Sequence, residues 1–311
     1  MSDAPSTGVA RRATDDTPVR VVSARASLIV RLRNLAARRE LLTSLISSDI
    51  RIKYKGSVLG IFWSMLSPAL TLATYYLVFS VFLKNGIPNF VIYLFSGLVV
   101  WNMFQTSVNS ATGIIVDRAG LVKKVSFPRE ILALANVGAS VIYFFIQLGV
   151  FALFLLVVGH DPAWSFLWIM PISFAALYLF TASVSMVMSA VTVYLRDMRH
   201  LMEVALQLWF WVSPVVYSYE NSIATPLHHH GLTWLYFLNP VTMIILTFQR
   251  FFYVNTTVHA IKTGVLLKIL PTWSMSTYFY LNLGLLVIMA VLFLVAVVVF
   301  GRLEGNFESE L

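Results

Sequence analysis

The 311-residue sequence contains no cysteine, and only 12% of its residues are Asp, Glu, Lys or Arg. The absence of cysteine excludes disulfides, thiolate metal sites and cysteine nucleophiles. The charged fraction is about half of the roughly 25% that is typical of soluble domains. Because 59% of the residues are apolar, the chain is predicted to be an all-α membrane protein with several spanning helices.

Positive charge is concentrated near the N-terminus, where half of the 22 Lys and Arg residues precede Val58. This bias is typical of segments retained in the cytoplasm, and it accompanies no nucleic-acid-binding motif. Nucleic acid is therefore not an expected partner. Residues 1–27 are polar and have no apolar core segment, so they are predicted to form a disordered cytoplasmic tail.

Residues 28–57 are predicted to form an amphipathic interface helix. Leucine and isoleucine recur at steps of mostly three and four, with Arg31, Arg33, Arg38 and Arg39 between them. Such a pattern indicates a helix in the membrane surface, with its apolar stripe in the acyl boundary and its arginines among the headgroups. A helix that packs on a partner or in the core is the alternative. The stripe consists of Leu28, Leu32, Leu35, Leu42, Leu45, Ile46 and Ile50.

A transmembrane domain is predicted over residues 58–303, followed by a cytoplasmic C-terminal tail at 304–311. Its six spans are placed near residues 59–83, 90–116, 131–158, 166–195, 204–218 and 275–300. The apolar segment 232–248 is short and contains Asn239-Pro240 at its centre, so a re-entrant pair of short helices between spans five and six is predicted. The distribution of positive charge slightly favours a seventh span instead.

No Asp, Glu, Lys or Arg lies within the six predicted spans. Ion-coupled carriers usually need such groups, and a membrane-embedded enzyme needs an acid, a base or metal ligands, so both classes are disfavoured. The sequence also lacks the G-x-x-x-x-G-K-[ST] phosphate-binding loop. Energy for uphill transport is therefore expected to come from a separate ATPase.

The polar groups that do occur in the spans are neutral. Amides and hydroxyls next to flat rings suit sugars, although most such rings serve packing or the membrane interface. The neutral groups are Asn102, Gln105, Thr106, Ser107, Asn109, Gln147, Gln207 and Ser213, and the neighbouring rings are Trp63, Tyr75, Tyr76, Phe79, Trp209 and Trp211.

Four segments, in order, resemble the ABC-2 type permeases that export polysaccharides and teichoic acids. The resemblance covers roughly residues 40 to 310. The segments are DIRIKYKGSVLGIFWSMLSPAL (49–70), KKVSFPREILAL (123–134), VYLRDMRHLMEVALQLWFWVSPVVYS (193–218) and LNPVTMIILTFQRFFY (238–253).

The resemblance implies a homodimeric half-transporter in a bacterial inner membrane, with both termini cytoplasmic. Two copies of an ATPase subunit would bind ATP and Mg²⁺, and this chain would hold no cofactor. The cargo would be a polysaccharide on an undecaprenyl-type lipid pyrophosphate. O-antigen, teichoic acid, capsule and a cell-wall galactan all stay open, and the Arg- and Ala-rich tail favours a galactan.

The resemblance also implies roles for residues. Rings of spans one and five would line the glycan path: Trp63, Tyr75, Tyr76, Phe79, Trp209, Trp211 and Tyr217. Residues 118–128 would be the coupling helix, giving ATPase contacts at Lys123, Lys124, Phe127, Pro128, Arg129 and Glu130. Cations suit a pyrophosphate, although headgroup anchoring is an alternative, and the predicted set is Arg51, Lys53, Tyr54 and Lys55.

No catalytic or metal-binding residue is expected. The consecutive His228, His229 and His230 do not share a helix face, so they do not predict a metal site. Two alternatives stay open: an ABC-2 permease for a drug or lipid, and a membrane glycosyl- or acyltransferase. The polar centre of such an enzyme would be His160-Asp161 or Arg196-Asp197.

Overall fold

In the computed structural model the chain is described over residues 28–56, 60–84, 86–125, 127–220, 222, 233–259 and 266–311. The predicted tail at 1–27 and the run His228–His230 lie outside the described residues.

Helices dominate the described chain. The first half contains α1 (Leu28–Ala37), α2 (Arg39–Tyr54), α3 (Trp63–Tyr76, continued by a π-helical turn Leu77–Phe82), α4 (Phe90–Thr112), α5 (Ile114–Asp117), α6 (Ala119–Lys124) and α7 (Glu130–Val158). The second half contains a 3-10 turn (Trp164–Ile169), α8 (Met170–Tyr194), α9 (Met198–Val212), α10 (Thr233–Tyr236), α11 (Pro240–Phe252), strands β1 (Thr257–His259) and β2 (Leu266–Lys268), α12 (Met275–Leu303), a 3-10 turn (Glu304–Asn306) and α13 (Phe307–Glu310). The two strands pair antiparallel.

Four helical segments are long and apolar enough to cross a membrane: Phe90–Thr112, Glu130–Val158, Trp164–Tyr194 and Met275–Leu303. They confirm the predicted helical membrane protein and correspond to the second, third, fourth and sixth predicted spans. The first and fifth correspond to α3 with its π-helical turn and to α9, which has 15 residues. The count of six spans stays a prediction.

Helix α4 is the centre of the bundle. In its most apolar stretch 78% of the residues are buried, against 22% in α7 and in α12. It packs against α3, α7, α8, α9 and α11, while α12 lies along α8. Buried small residues on α8, including Ser173, Ala176 and Ala190, let neighbouring helices approach closely. The outer faces of α7 and α12 are apolar and exposed, as lipid-facing surfaces are.

The predicted fifth span was expected to reach residue 218, but α9 ends at Val212. Pro214 lacks the N–H that a continuing helix needs. Beyond it the backbone is buried and uses side chains as partners: Gln249 Nε2 donates to Pro214 O at 2.9 Å and the Tyr93 hydroxyl donates to Tyr217 O at 2.6 Å. Irregular backbone of this kind is tolerated at membrane depth only inside protein.

Asn239-Pro240 begins a helix. The Asn239 side chain caps α11 by accepting from Val241 N at 3.1 Å, and Pro240 occupies the first turn, where no N–H is needed. Trp209 Nε1 donates to Asn239 Oδ1 and Asn239 Nδ2 donates to Ser213 Oγ, each at 3.0 Å. The predicted pair of short helices is present as α10 and α11, and α11 is almost wholly buried. Whether the pair is re-entrant stays a prediction.

The predicted interface helix is two helices with a break at Arg38. The leucines of its stripe, expected in the acyl boundary, are half-buried against the protein. They pack on a cluster from α5 to α8, α12 and α13 that includes Ile115, Met186 and Phe300. Ile46 meets Gly138 of α7 so closely that a Cβ there would collide with it. The alternative of a helix packed on the core therefore describes this stripe better.

Candidate functional site

The cations predicted to bind pyrophosphate are divided between two faces of α2. Arg51 and Lys55 are four residues apart and line an open groove of about 680 Å³ with Ser44, Ser47, Ser48 and Ile52. The Lys53 ammonium instead lies 4.4 Å from the centre of the Tyr143 ring on α7. Burial lowers the pKa of Lys53. The side chain of Tyr54 lies outside the described residues. Arg51 and Lys55 thus form the cationic groove, and Lys53 is exposed on another face of the helix, over Tyr143. Binding of pyrophosphate by any of these residues stays a prediction.

The rings predicted to line the glycan path also differ in their surroundings. Trp63 and Tyr75 border a groove of about 420 Å³ on α3, which also contains Ser67, Leu70, Thr71 and Thr74. Tyr75 stacks on Phe210 of α9 at 5.4 Å between ring centres.

Further rings of the set lie nearby. Phe79 is half-buried against Phe90 and Trp211, and Tyr76 and Trp211 are exposed. Trp209 packs between Phe104 and Phe180. The Tyr217 hydroxyl donates to Trp211 O at 2.9 Å. Trp209 and Tyr217 therefore hold the fold, whereas Trp63, Tyr75, Tyr76 and Trp211 reach a surface.

The predicted coupling set is divided as well. Lys123 and Lys124 at the end of α6 are exposed, beside exposed Leu121 and Val125. Phe127 is half-buried against the cluster formed by α5 to α8 and α12, and Pro128 is partly exposed. Glu130 is only 1% exposed. A partner subunit can therefore touch the α6 cations directly, but not Glu130.

Glu130 belongs to a buried ion-pair junction between three distant parts of the chain. Arg31 of α1, predicted to lie among lipid headgroups, donates to Glu130 Oε1 at 2.6 Å and to Glu304 Oε2 at 3.1 Å. Arg129 donates to Glu304 O at 3.2 Å, and its guanidinium lies 5.9 Å from the centre of the Phe307 ring. Burial acts to lower the pKa of Arg31, but Glu130 and Glu304 outweigh it and the pKa is raised.

Two further ion pairs lie beside the predicted coupling segment. Arg118 pairs with Asp49 and so joins the segment to α2. Arg199, at the start of α9, pairs with Asp117 at 2.7 Å, and its guanidinium lies directly against Gly113. Asp49 and Glu304 were not predicted as site residues, because the arginine with which each of them pairs is distant in sequence.

His160, which belongs to one of the polar centres proposed for an enzyme, has a structural contact. His160 Nε2 bonds to the Phe252 carbonyl at 2.9 Å, a contact that holds a loop. Among the described residues, no three His, Asp or Glu side chains gather as metal ligands.

Comparisons with known proteins identify the family. The model of the ABC-2 type transporter family matches residues 40–253. The chain is 31% identical to the O-antigen export system permease protein RfbA of Myxococcus xanthus over 222 residues, which cover 71% of this chain and 84% of that protein. It is 29% identical to the Klebsiella pneumoniae protein of the same name over 219 residues, covering 70% and 82%. These matches confirm a transport permease rather than a membrane enzyme: the chain belongs to the ABC-2 type transporter family.

Proposed function

We propose that this chain is the transmembrane half of an exporter that moves a lipid-linked polysaccharide of the O-antigen type out of the cytoplasm. The main support for this proposal is the similarity to two O-antigen export permeases over more than two thirds of the chain. The absence of Asp, Glu, Lys and Arg from the predicted spans supports it, because an ion gradient then has no obvious coupling group.

The working assembly is two copies of this chain with two ATPase subunits in a bacterial inner membrane. All six spans cross, the segment around α10 and α11 is re-entrant, and both termini are cytoplasmic. The missing phosphate-binding loop and the strongly basic N-terminal region support this arrangement. ATP and Mg²⁺ reside on the partner, and this chain makes and breaks no covalent bond.

Three groups of residues have separate roles in this proposal. The ATPase contacts the exposed cations of α6, and ATP-driven closure moves the segment near Phe127 and Pro128. The cationic groove of Arg51 and Lys55 receives the lipid pyrophosphate, and its three serines add neutral donors. Reorientation of α3 and α9 opens the path along the groove of Trp63 and Tyr75.

Depleting the chain in its host is expected to trap a long lipid-linked polymer in the cytoplasmic leaflet, because synthesis continues while export stops. Extraction of lipid-linked glycans and mass spectrometry of their sugars would reveal the polymer and identify the cargo. Re-expression from a plasmid is the control. Unchanged lipid-linked glycans after depletion would overturn the proposal and favour a permease for a drug or a small lipid.

Changing Arg51 and Lys55 together to Gln is expected to lower export about tenfold or more, because a pyrophosphate loses two charge-assisted hydrogen bonds. The measurement is the surface polysaccharide in cells with matched protein levels. Lys53→Gln is the matched control, since it removes one charge from the same helix at the Tyr143 contact. Equal losses in both variants would indicate general headgroup anchoring instead.

A further inference from the structure

Helix α4 carries a polar stripe on the half that leads to the coupling segment. The stripe consists of Asn102, Gln105, Thr106, Asn109 and Ser110, which recur at steps of three and four and therefore share one face. Thr106, Asn109 and Ser110 are exposed, and Asn102 and Gln105 are half-exposed. This exposure is unusual for α4, which is otherwise the most deeply buried of the candidate spans.

Contact of this polar face of α4 with lipid hydrocarbon is unfavourable. Placing an amide in lipid without a hydrogen-bond partner is strongly unfavourable. Thr106 and Ser110 donate to carbonyls of their own helix, which satisfies the hydroxyl hydrogens. The amide of Asn109 has no hydrogen-bond partner within the part of the chain that the structure describes. The exposed surface of α7, by contrast, is formed by apolar side chains such as Ile142 and Phe145.

Aromatic contacts connect the stripe to the groove on α3. Trp101 Nε1 donates to Gln105 Oε1 at 2.8 Å. The Trp101 ring lies 5.5 Å from Phe210, which in turn stacks on Tyr75 of the α3 groove. The groove adds the hydroxyls of Ser67, Thr71 and Thr74 to its two rings.

The other end of the stripe leads to a pair of opposite charges. One turn beyond Asn109 the helix reaches Gly113, against which the Arg199 guanidinium lies. Arg199 pairs there with Asp117, and both side chains are about half exposed, at 44% and 55%. The stripe itself carries no formal charge.

We propose that the α4 stripe lines a hydrated path for the uncharged sugar chain, continuous with the ring-lined groove of α3. Each amide offers both donors and acceptors, as sugar hydroxyls do, and neutral groups bind a moving polymer without the strong attraction of a charge. Lipid chains are a poorer occupant, because they supply no hydrogen-bonding groups. The identity of the cargo rests on the proposed function, but the hydration of the stripe does not.

The absence of cysteine from the sequence gives a direct test. Thr106→Cys and Asn109→Cys, made singly in the full chain with its ATPase, are expected to react with a membrane-impermeant, polar maleimide in inside-out vesicles. Ser107→Cys is the matched control, since Ser107 has the same depth but is buried. Ile142→Cys controls for an exposed apolar position. We expect labelling of the stripe at least about tenfold faster than of either control, because a maleimide reacts with the thiolate, which forms in water.

Labelling of residues 106 and 109 no faster than at 107 would overturn the proposal. Oxidative cross-linking of Asn109→Cys between copies, together with slow labelling, would identify the stripe as an interface between protomers instead. Vesicles that have accumulated lipid-linked polymer are expected to show slower labelling than vesicles without it. Rapid labelling that is the same with and without the polymer would support a hydrated stripe but would contradict the sugar chain as its occupant.

A second variant tests transport itself. Combining Asn102→Leu, Thr106→Val and Asn109→Leu keeps the number and branching of the side-chain heavy atoms and removes the hydrogen-bonding groups. Export is expected to fall at least about tenfold, with unchanged copurification of the ATPase. Ser107→Ala is expected to export normally. Normal export by the triple variant would exclude a role of the stripe in conducting sugar.

Discussion

Replacing Glu130 with Ala is expected to destabilise the protein by about 3 kcal/mol, because it leaves the largely shielded Arg31 guanidinium without its shortest ion pair. The Glu130 side chain is only 2% exposed, and that of Arg31 is 16% exposed, so water cannot replace the lost carboxylate fully. Glu304 keeps a contact at 3.1 Å and limits the loss. Thermal unfolding of the detergent-purified chain, followed by fluorescence-detected gel filtration, measures the shift.

Asp117→Ala is the matched control for this result. This substitution also removes a carboxylate from an ion pair with an arginine, but the side chains of Asp117 and Arg199 are both about half exposed. Exposed pairs contribute about 0–1 kcal/mol. Glu130→Gln is expected to fall between the two, since the amide can still accept a hydrogen bond from Arg31. Equal thermal shifts for Glu130→Ala and Asp117→Ala would show that the junction adds no stability beyond that of a surface pair.

The junction shows why part of the site could not be predicted from sequence. Arg31 and Glu130 are 99 residues apart, and Arg31 and Glu304 are 273 residues apart. The sequence pattern placed Arg31 among the headgroups, but Arg31 shares a helix face with Leu28 and Leu35, which pack on the protein. A cation at that position can contact headgroups or carboxylates equally well. The arrangement of the helix ends decides between them, and local pattern does not contain that information.

Local signals predicted more of the fold. Four of the predicted spans are helices long enough to cross a membrane. Their positions could be predicted because a spanning helix needs about 20 consecutive apolar residues. Asn239-Pro240 correctly separated two short helices, and the same dipeptide explains the start of α11 as a cap. Pro214 was available as a stop signal for α9, and the predicted span ran through it because apolar residues continue to residue 217.

The structure divides the predicted site residues where residues that are close in sequence lie on different faces of a helix. Arg51, Lys53 and Lys55 are adjacent in sequence, but α-helical geometry places residues two apart on different faces. Lys53 accordingly contacts Tyr143, while Arg51 and Lys55 share a groove. Likewise, Lys124 and Glu130 flank one loop, yet the first is exposed and the second is buried.

The ion pairs of the predicted coupling segment would transmit a displacement of α6 to other helices. A partner that displaces α6 also displaces Arg118, which pairs with Asp49 of α2. A few residues later Arg129 and Glu130 connect the same segment to α1 and to the end of α12. Helices α1 and α2 and the end of α12 are therefore expected to move with the predicted coupling segment, because these pairs are largely shielded from water.

Changing Lys123 and Lys124 together to Glu is expected to abolish association with the ATPase, because a partner surface complementary to the two cations at the exposed end of α6 would repel two anions. A loss of at least about tenfold in copurified ATPase is expected, since apposed like charges at an interface cost several kcal/mol. Arg302→Glu is the control, because Arg302 is an exposed cation at the end of α12, outside the coupling segment. Thermal stability should stay near native in both variants, since neither touches the buried junction of Arg31, Glu130 and Glu304. If the α6 variant retains its ATPase while export continues, the coupling surface lies elsewhere on the protein, and the exposed lysines serve only to keep the loop in the cytoplasm.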